Sequence, residues 1–156
     1  MAYSNKKPSL EKVFLLNEYA VILSFILAFG LTKALANLAV AGLSNKLTRK
    51  KILVIGWLIA LPVPFLLMYA SSWWWVIAAN ILLGINQGLA WSSTVIMKID
   101  LVGAKNRGLA MGINEFAGYL SVGLAALLAG YLANQYGYSF YPFLPGVVFV
   151  IAGTLL

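Results

Sequence analysis

Few side chains in this 156-residue chain could do chemistry, and they recur at regular intervals. Lys33 sits in an unbroken apolar run, and Asn37, Ala41 and Ser44 follow it at the spacing of one helix face. Further on, Asn80, Gly84, Gln87 and Trp91 share a second face, with Asn86 adjoining. Asn114 and Glu115 lie eight or so residues past Arg107 in a third apolar run. A cation, an acid, five amides and an indole can bind a polar solute, or they can tie helices together by hydrogen bonds. They cannot build a nucleophile–imidazole arrangement, because the chain has no His and no Cys. The same absence removes disulfides and thiolate or imidazole metal ligation. Four carboxylates without an evident pair leave little for an intramembrane enzyme. Gly30 to Lys33 lacks the spacing of a phosphate-binding loop, so no nucleotide is expected. No metal and no cofactor is expected either, and the chain does not read as an enzyme.

The elements that must position these residues are set by hydrocarbon. Hydrophobic residues make up 62% of the chain and charged residues only 10%, with a mean hydropathy of +0.90. A water-soluble domain carries roughly 25% charged residues. The net charge of +7 would suggest nucleic acid in a soluble protein, but these cations cluster beside apolar runs, and a bilayer surface accounts for them. A helix needs about 20 apolar residues to cross roughly 30 Å of hydrocarbon. Five runs qualify, at about 20–43, 52–70, 73–97, 108–133 and 139–156. They must be helices, since an unpaired backbone amide in lipid costs several kcal/mol. The fold class is therefore all-α, a polytopic transmembrane helix bundle with five spans. Pro62 and Pro64 predict a kink in the second span, tolerated where neighbours satisfy the freed carbonyls.

Charge in the connections predicts orientation. The bend at 44–51 holds Lys46, Arg49, Lys50 and Lys51, and the bend at 98–107 holds Lys98, Lys105 and Arg107 against Asp100. The bends at 71–72 and 134–138 carry no charge and are bordered by Trp73, Trp74 and Trp75 and by Tyr136, Tyr138 and Tyr141. Cationic bends stay cytoplasmic and aromatic residues favour the interface, so the charged bends are placed inside. The tryptophan triplet reads as an interfacial anchor rather than a stacking site, and Lys46 to Lys51 could also meet anionic lipid headgroups. Lys33 lies eleven residues before Ser44, roughly 16 Å deeper, too far for its side chain to reach the interface. Such a cation faces a cavity or a partner, either as a solute or ion contact or as a satisfied interhelical bond. Glu115, about 12 Å into its helix, is one candidate partner. Lys6, Lys7 and Lys12 before the first span conflict with an outside location. An upstream span would resolve that, and the last run ends without a polar residue. The chain is expected to be an interior piece of a larger membrane protein or a truncated gene product.

Gly84 to Gly88 and Gly108 to Gly112 are both GxxxG spacings, and the fourth run adds Gly118, Gly123 and Gly130. Small residues let helices approach closely in lipid, so these are expected packing faces, which would also permit one helix to slide on another.

Residues 41–51 also resemble a family motif. In the major facilitator superfamily the bend between helices two and three reads G-x-L-A-D-R-x-G-R-K. Leu43, Lys46, Arg49 and Lys50 match it in type and spacing, while Ala41, Asn45 and Thr48 depart. Asp100, Arg107 and Gly108 resemble the acid and R-G of the bend after helix four, and Gln87 and Gly88 resemble the R-x-x-Q-G of helix four, with Gly84 in place of the Arg. The resemblance covers nearly the whole chain as helices two to six of twelve. It implies part of the N-terminal half of a 12-helix transporter in a plasma or inner membrane, moving a small solute by alternating access. Its remaining helices, membrane lipids and the solute would be the partners. The resemblance also implies a cytoplasmic gating network at Leu43, Asn45, Lys46, Arg49, Lys50, Asp100 and Arg107. Because Asn45 supplies no charge, Asp100 would have to support that network alone. The missing fourth-helix Arg and the absence of a Pro in GYLSVGLAALLAG remove the simplest arguments for proton antiport. Candidate solute or coupling contacts are Lys33, Asn37, Asn86, Gln87, Trp91, Asn114 and Glu115. The alternative is a small membrane scaffold or assembly protein without transport activity.

Overall fold

The computed structural model describes residues 18–155. Lys6, Lys7 and Lys12, and the conflict they raise, lie outside the described residues. Six α-helices follow one another: α1 (Glu18–Leu43), α2 (Arg49–Ala60), α3 (Val63–Met68), α4 (Trp73–Val102), α5 (Arg107–Tyr136) and α6 (Leu144–Leu155), the last preceded by a 3-10 turn at Tyr141–Phe143.

Several boundaries differ from those the hydropathy predicts. The second run starts at Arg49 and breaks at Leu61 and Pro62, two residues with helical backbone angles that join α2 to α3. Pro62 cannot donate to the Leu58 carbonyl, and the Leu61 N–H does so instead at 3.3 Å, a 3-10 bond that tightens the kink. Helix α4 continues past residue 97 to Val102 and α5 begins at Arg107, so the second charged bend shrinks to four residues. Gly103 at φ 69° and Gly137 at φ 92° end α4 and α5, in a backbone region that other residues enter at a cost.

Three stretches among the described residues are long and apolar enough to span a bilayer, Tyr19–Leu43, Arg49–Met68 and Arg107–Tyr136. The prediction of five needs qualifying in physical terms. Helix α4, at 30 residues or about 45 Å, has the length. Its three amides and its indoles reduce its hydropathy. Those groups are tolerable because α4 packs on α1, α2, α3 and α5, so protein rather than lipid surrounds much of it. Helix α6 has 12 residues, about 18 Å.

Helices α1 and α4 run parallel: Ser24 meets Trp73, and Asn37 meets Ser92. Helix α2 returns antiparallel along α4. The result is that both cationic bends share one end, where Arg49 forms an ion pair with Asp100. Val40, Ile52 and Leu89 form the core just inside that end.

The α1–α4 seam is the tightest in the molecule. A Cβ on Gly84 would stand 2.6 Å from the Phe29 carbonyl, and one on Gly88 would stand 2.9 Å from the Lys33 carbonyl. Only glycine admits that approach. The second GxxxG behaves otherwise. Gly108 and Gly112 have nothing within 4 Å of a Cβ position, so the expected packing face is open there. Trp73 also departs from a purely interfacial role, since its indole N–H donates to Ser24 Oγ at 2.9 Å and its ring meets Phe25 edge-on.

Candidate functional site

The glycine seam fixes the first candidate. With α1 and α4 at backbone contact, Lys33 is half-buried and its ammonium donates to Gln87 Oε1 at 3.4 Å. The same ammonium lies 5.6 Å from the Phe29 ring centroid, within cation–π range. The pairing of Lys33 with Glu115 does not form. Glu115 instead accepts from Asn114 Nδ2 at 3.4 Å, on a different side of α4. The stripe continuing from Lys33 is largely exposed. Asn37 accepts from Ser92 Oγ at 2.8 Å, whereas Ser44 turns its hydroxyl onto the Val40 carbonyl of its own helix.

The other face of α4 opens on a cleft of about 340 Å³ between α2, α4 and α5. Asn86, Gln87, Trp91 and Asn114 all line it. Asn86 is buried and donates to the Gly56 carbonyl at 3.0 Å, which ties α4 to α2. Gln87 lines the cleft while its Oε1 accepts from Lys33. Trp91 lies across Gly118, where a Cβ would come within 2.7 Å of the ring. Asn114, buried on α5, accepts from Lys98 at 2.5 Å. Asn80 takes no part, since it bonds to the Val76 carbonyl of its own helix.

Lys98 and Trp57 are among the lining residues that escape the sequence reading. Lys98 counts there only as a bend cation, yet it stands on α4 and points its ammonium to Asn114. A signal was available, because Gln87, Trp91, Thr94 and Lys98 recur at i, i+4, i+7 and i+11. Trp57 on α2 forms the opposite wall, and a lone indole in an apolar run gives no such signal. It is seated on Gly153, whose Cβ would come within 2.6 Å of the ring. Past Trp57, Asn86 and Gln87 the cleft adjoins an apolar chamber of about 360 Å³ toward α3 and α6.

At the cationic end, Arg49 and Asp100 are half-exposed partners. Thr48, one of the departures from the motif, is the N-cap of α2 and accepts weakly from the Lys51 N–H at 3.4 Å. Asn45, Lys46, Lys50 and Arg107 are exposed, and Leu43 packs against the Val40, Ile52 and Leu89 core. No group of three or more metal-ligating acids is found among the described residues.

The family model of the Major Facilitator Superfamily matches residues 12–156. The chain belongs to that superfamily. It is also 29% identical over 137 residues to the uncharacterized MFS-type transporter C18.02 of Schizosaccharomyces pombe, a match that takes in 85% of this chain and 29% of that protein. The chain thus spans less than a third of the length of that curated relative. No solved structure matches it significantly. Superfamily membership and the apolar helices make it a multi-pass membrane protein, of a transporter family rather than an enzyme family.

Proposed function

We propose that the chain is part of a secondary transporter that moves a small solute by alternating access, with the α2–α4–α5 cleft as a contact surface. The observation that carries this reading is the convergence of Asn86, Gln87, Trp91, Asn114 and Lys98 on one concavity in an otherwise apolar molecule. Ligand sites are concave, mostly apolar, and carry a few convergent polar groups. Superfamily membership supports a repeat-based bundle that rocks around such a site. The Arg49–Asp100 pair, on α2 and α4, would steady one state by joining two helices at the cationic end. That end is assigned to the cytoplasm of a cell that carries the protein in its plasma or inner membrane, on the strength of the cation bias. Lipids and the remaining helices of the transporter would cover the exposed faces of α1 and α5, and nothing in the reading calls for nucleic acid.

Reconstitution into proteoliposomes tests this. A labelled solute panel should show saturable uptake that Gln87→Leu reduces. Stable insertion with no uptake of any solute would favour the scaffold reading instead.

A further inference from the structure

We infer that the solute bound in this cleft is a small amphipathic monoanion, a carboxylate carrying a flat apolar body, with its charge on Lys98 and its body between Trp57 and Trp91. The inference rests on the proposed role of the cleft as the solute site.

The charge balance of the lining selects an anion. Eleven residues line the cleft and Lys98 alone among them is ionised. Glu115 touches Asn114 from behind and is not part of the lining. The Lys98 ammonium donates to a neutral amide oxygen, that of Asn114, rather than to a carboxylate. Bringing a cationic solute there would place like charges together with no acid between them. A carboxylate would complete the ammonium, and the Gln87 NH₂ supplies a second donor on the same wall.

The rest of the lining selects the body. Trp57 and Trp91 each lay a ring over a glycine, Gly153 and Gly118, where a Cβ would come within 2.6 Å and 2.7 Å. Indole faces favour flat apolar groups over hydrated polyols. The cleft alone is near the small end of ligand-site volumes, about 300–1,000 Å³. The adjoining apolar chamber shares Trp57, Asn86 and Gln87 with it, so a body several carbons long can extend past the indoles.

Equilibrium binding to the detergent-purified chain tests this with 3-phenylpropionate, its neutral amide, its amine analogue 3-phenylpropylamine, and acetate. The acid should bind about tenfold or more tightly than the amide, the value of one charge-assisted hydrogen bond. Acetate should bind more weakly than phenylpropionate, and the amine should not compete. Lys98→Gln keeps a side chain that can still reach Asn114, and should bring the acid down to the affinity of the amide. Lys98→Arg should keep the preference for the acid, and Lys105→Gln, an exposed cation in the bend, should change nothing. Helical circular dichroism confirms that each variant is folded. Equal binding of acid and amide, an unaffected Lys98→Gln, or no saturable binding of the acid by folded protein would each overturn the assignment. The transport reading fails separately. Acid binding without uptake in proteoliposomes would remove transport and leave the anion site standing.

Discussion

Replacing Gly88 by Ala should separate α1 from α4, and the size of the effect follows from the contacts. The new methyl would sit 2.9 Å from the Lys33 carbonyl and 3.1 Å from the Asn37 N–H, and closer still to the Ala36 methyl. Carbon contacts are optimal at about 3.5–4.0 Å, so the helices must part by about 1 Å. Two of the three obstacles are backbone and cannot swing aside. A radial gap of that size forfeits a quarter to a half of each contact along the seam. Overpacking of this kind costs about 1–3 kcal/mol, less about 0.5–1 kcal/mol gained because Ala is the better helix residue. A net loss of about 1–2 kcal/mol is expected, and the 3.4 Å Lys33–Gln87 bond should be lost with it. Gly112→Ala is the matched control. It has the same motif and the same methyl, but nothing within 4 Å, so only the propensity gain remains. Unfolding in SDS followed by tryptophan fluorescence gives the readout, since Trp73 bridges the same seam to Ser24. If Gly88→Ala unfolds at the same SDS fraction as the parent, or Gly112→Ala loses as much as Gly88→Ala, the seam is not the close contact described.

Ser93→Ala should be neutral or stabilising by up to about 1 kcal/mol, because its hydroxyl is buried with no hydrogen-bond partner, and a loss in the same SDS titration would show an unseen partner. Asn86→Ala should cost about 1–3 kcal/mol by stranding the Gly56 carbonyl, whereas Asn80→Ala, whose bond is local, should cost less than half as much. Asp100→Asn should cost no more than about 1 kcal/mol in stability, since its partnership with Arg49 is half-exposed, and the difference should vanish near 1 M salt. The chain has no Cys, so single cysteines at Asn45, Ala104, Ser71 and Tyr138 can be labelled in intact cells. The first two should react only after permeabilisation and the last two without it, and the reverse pattern would invert the topology.

The sequence disclosed those features that depend on composition or on a single face. The helices follow from apolar length, and Gln87 and Trp91 share a face by their period, with Asn86 adjoining it. What depends on the identity of a neighbour stayed hidden. Gly84–Gly88 and Gly108–Gly112 are the same word in the sequence, yet α1 lies against one and open space against the other. Lys33 and Glu115 look like natural partners until the glycine seam turns Lys33 toward Gln87. Lys98 reads as a loop charge because apolar length ends at residue 97, five residues before α4 does, and Asp100 lies on the same turn. Trp57 carries no local mark at all, since its role depends on Gly153, nearly a hundred residues away in the chain.

The parallel pairing of α1 and α4 has a consequence for biosynthesis. The two partners are 49 to 55 residues apart where they touch, and a parallel pair cannot close until an intervening hairpin has brought the chain back across the bilayer. During translation α1 is therefore complete before Gln87 is made. Lys33 must wait at depth with no amide to receive it, at about 2.5–3.5 kcal/mol on insertion scales. The nascent α1 is thus a short-lived intermediate in which Lys33 lacks its Gln87 contact until α4 arrives.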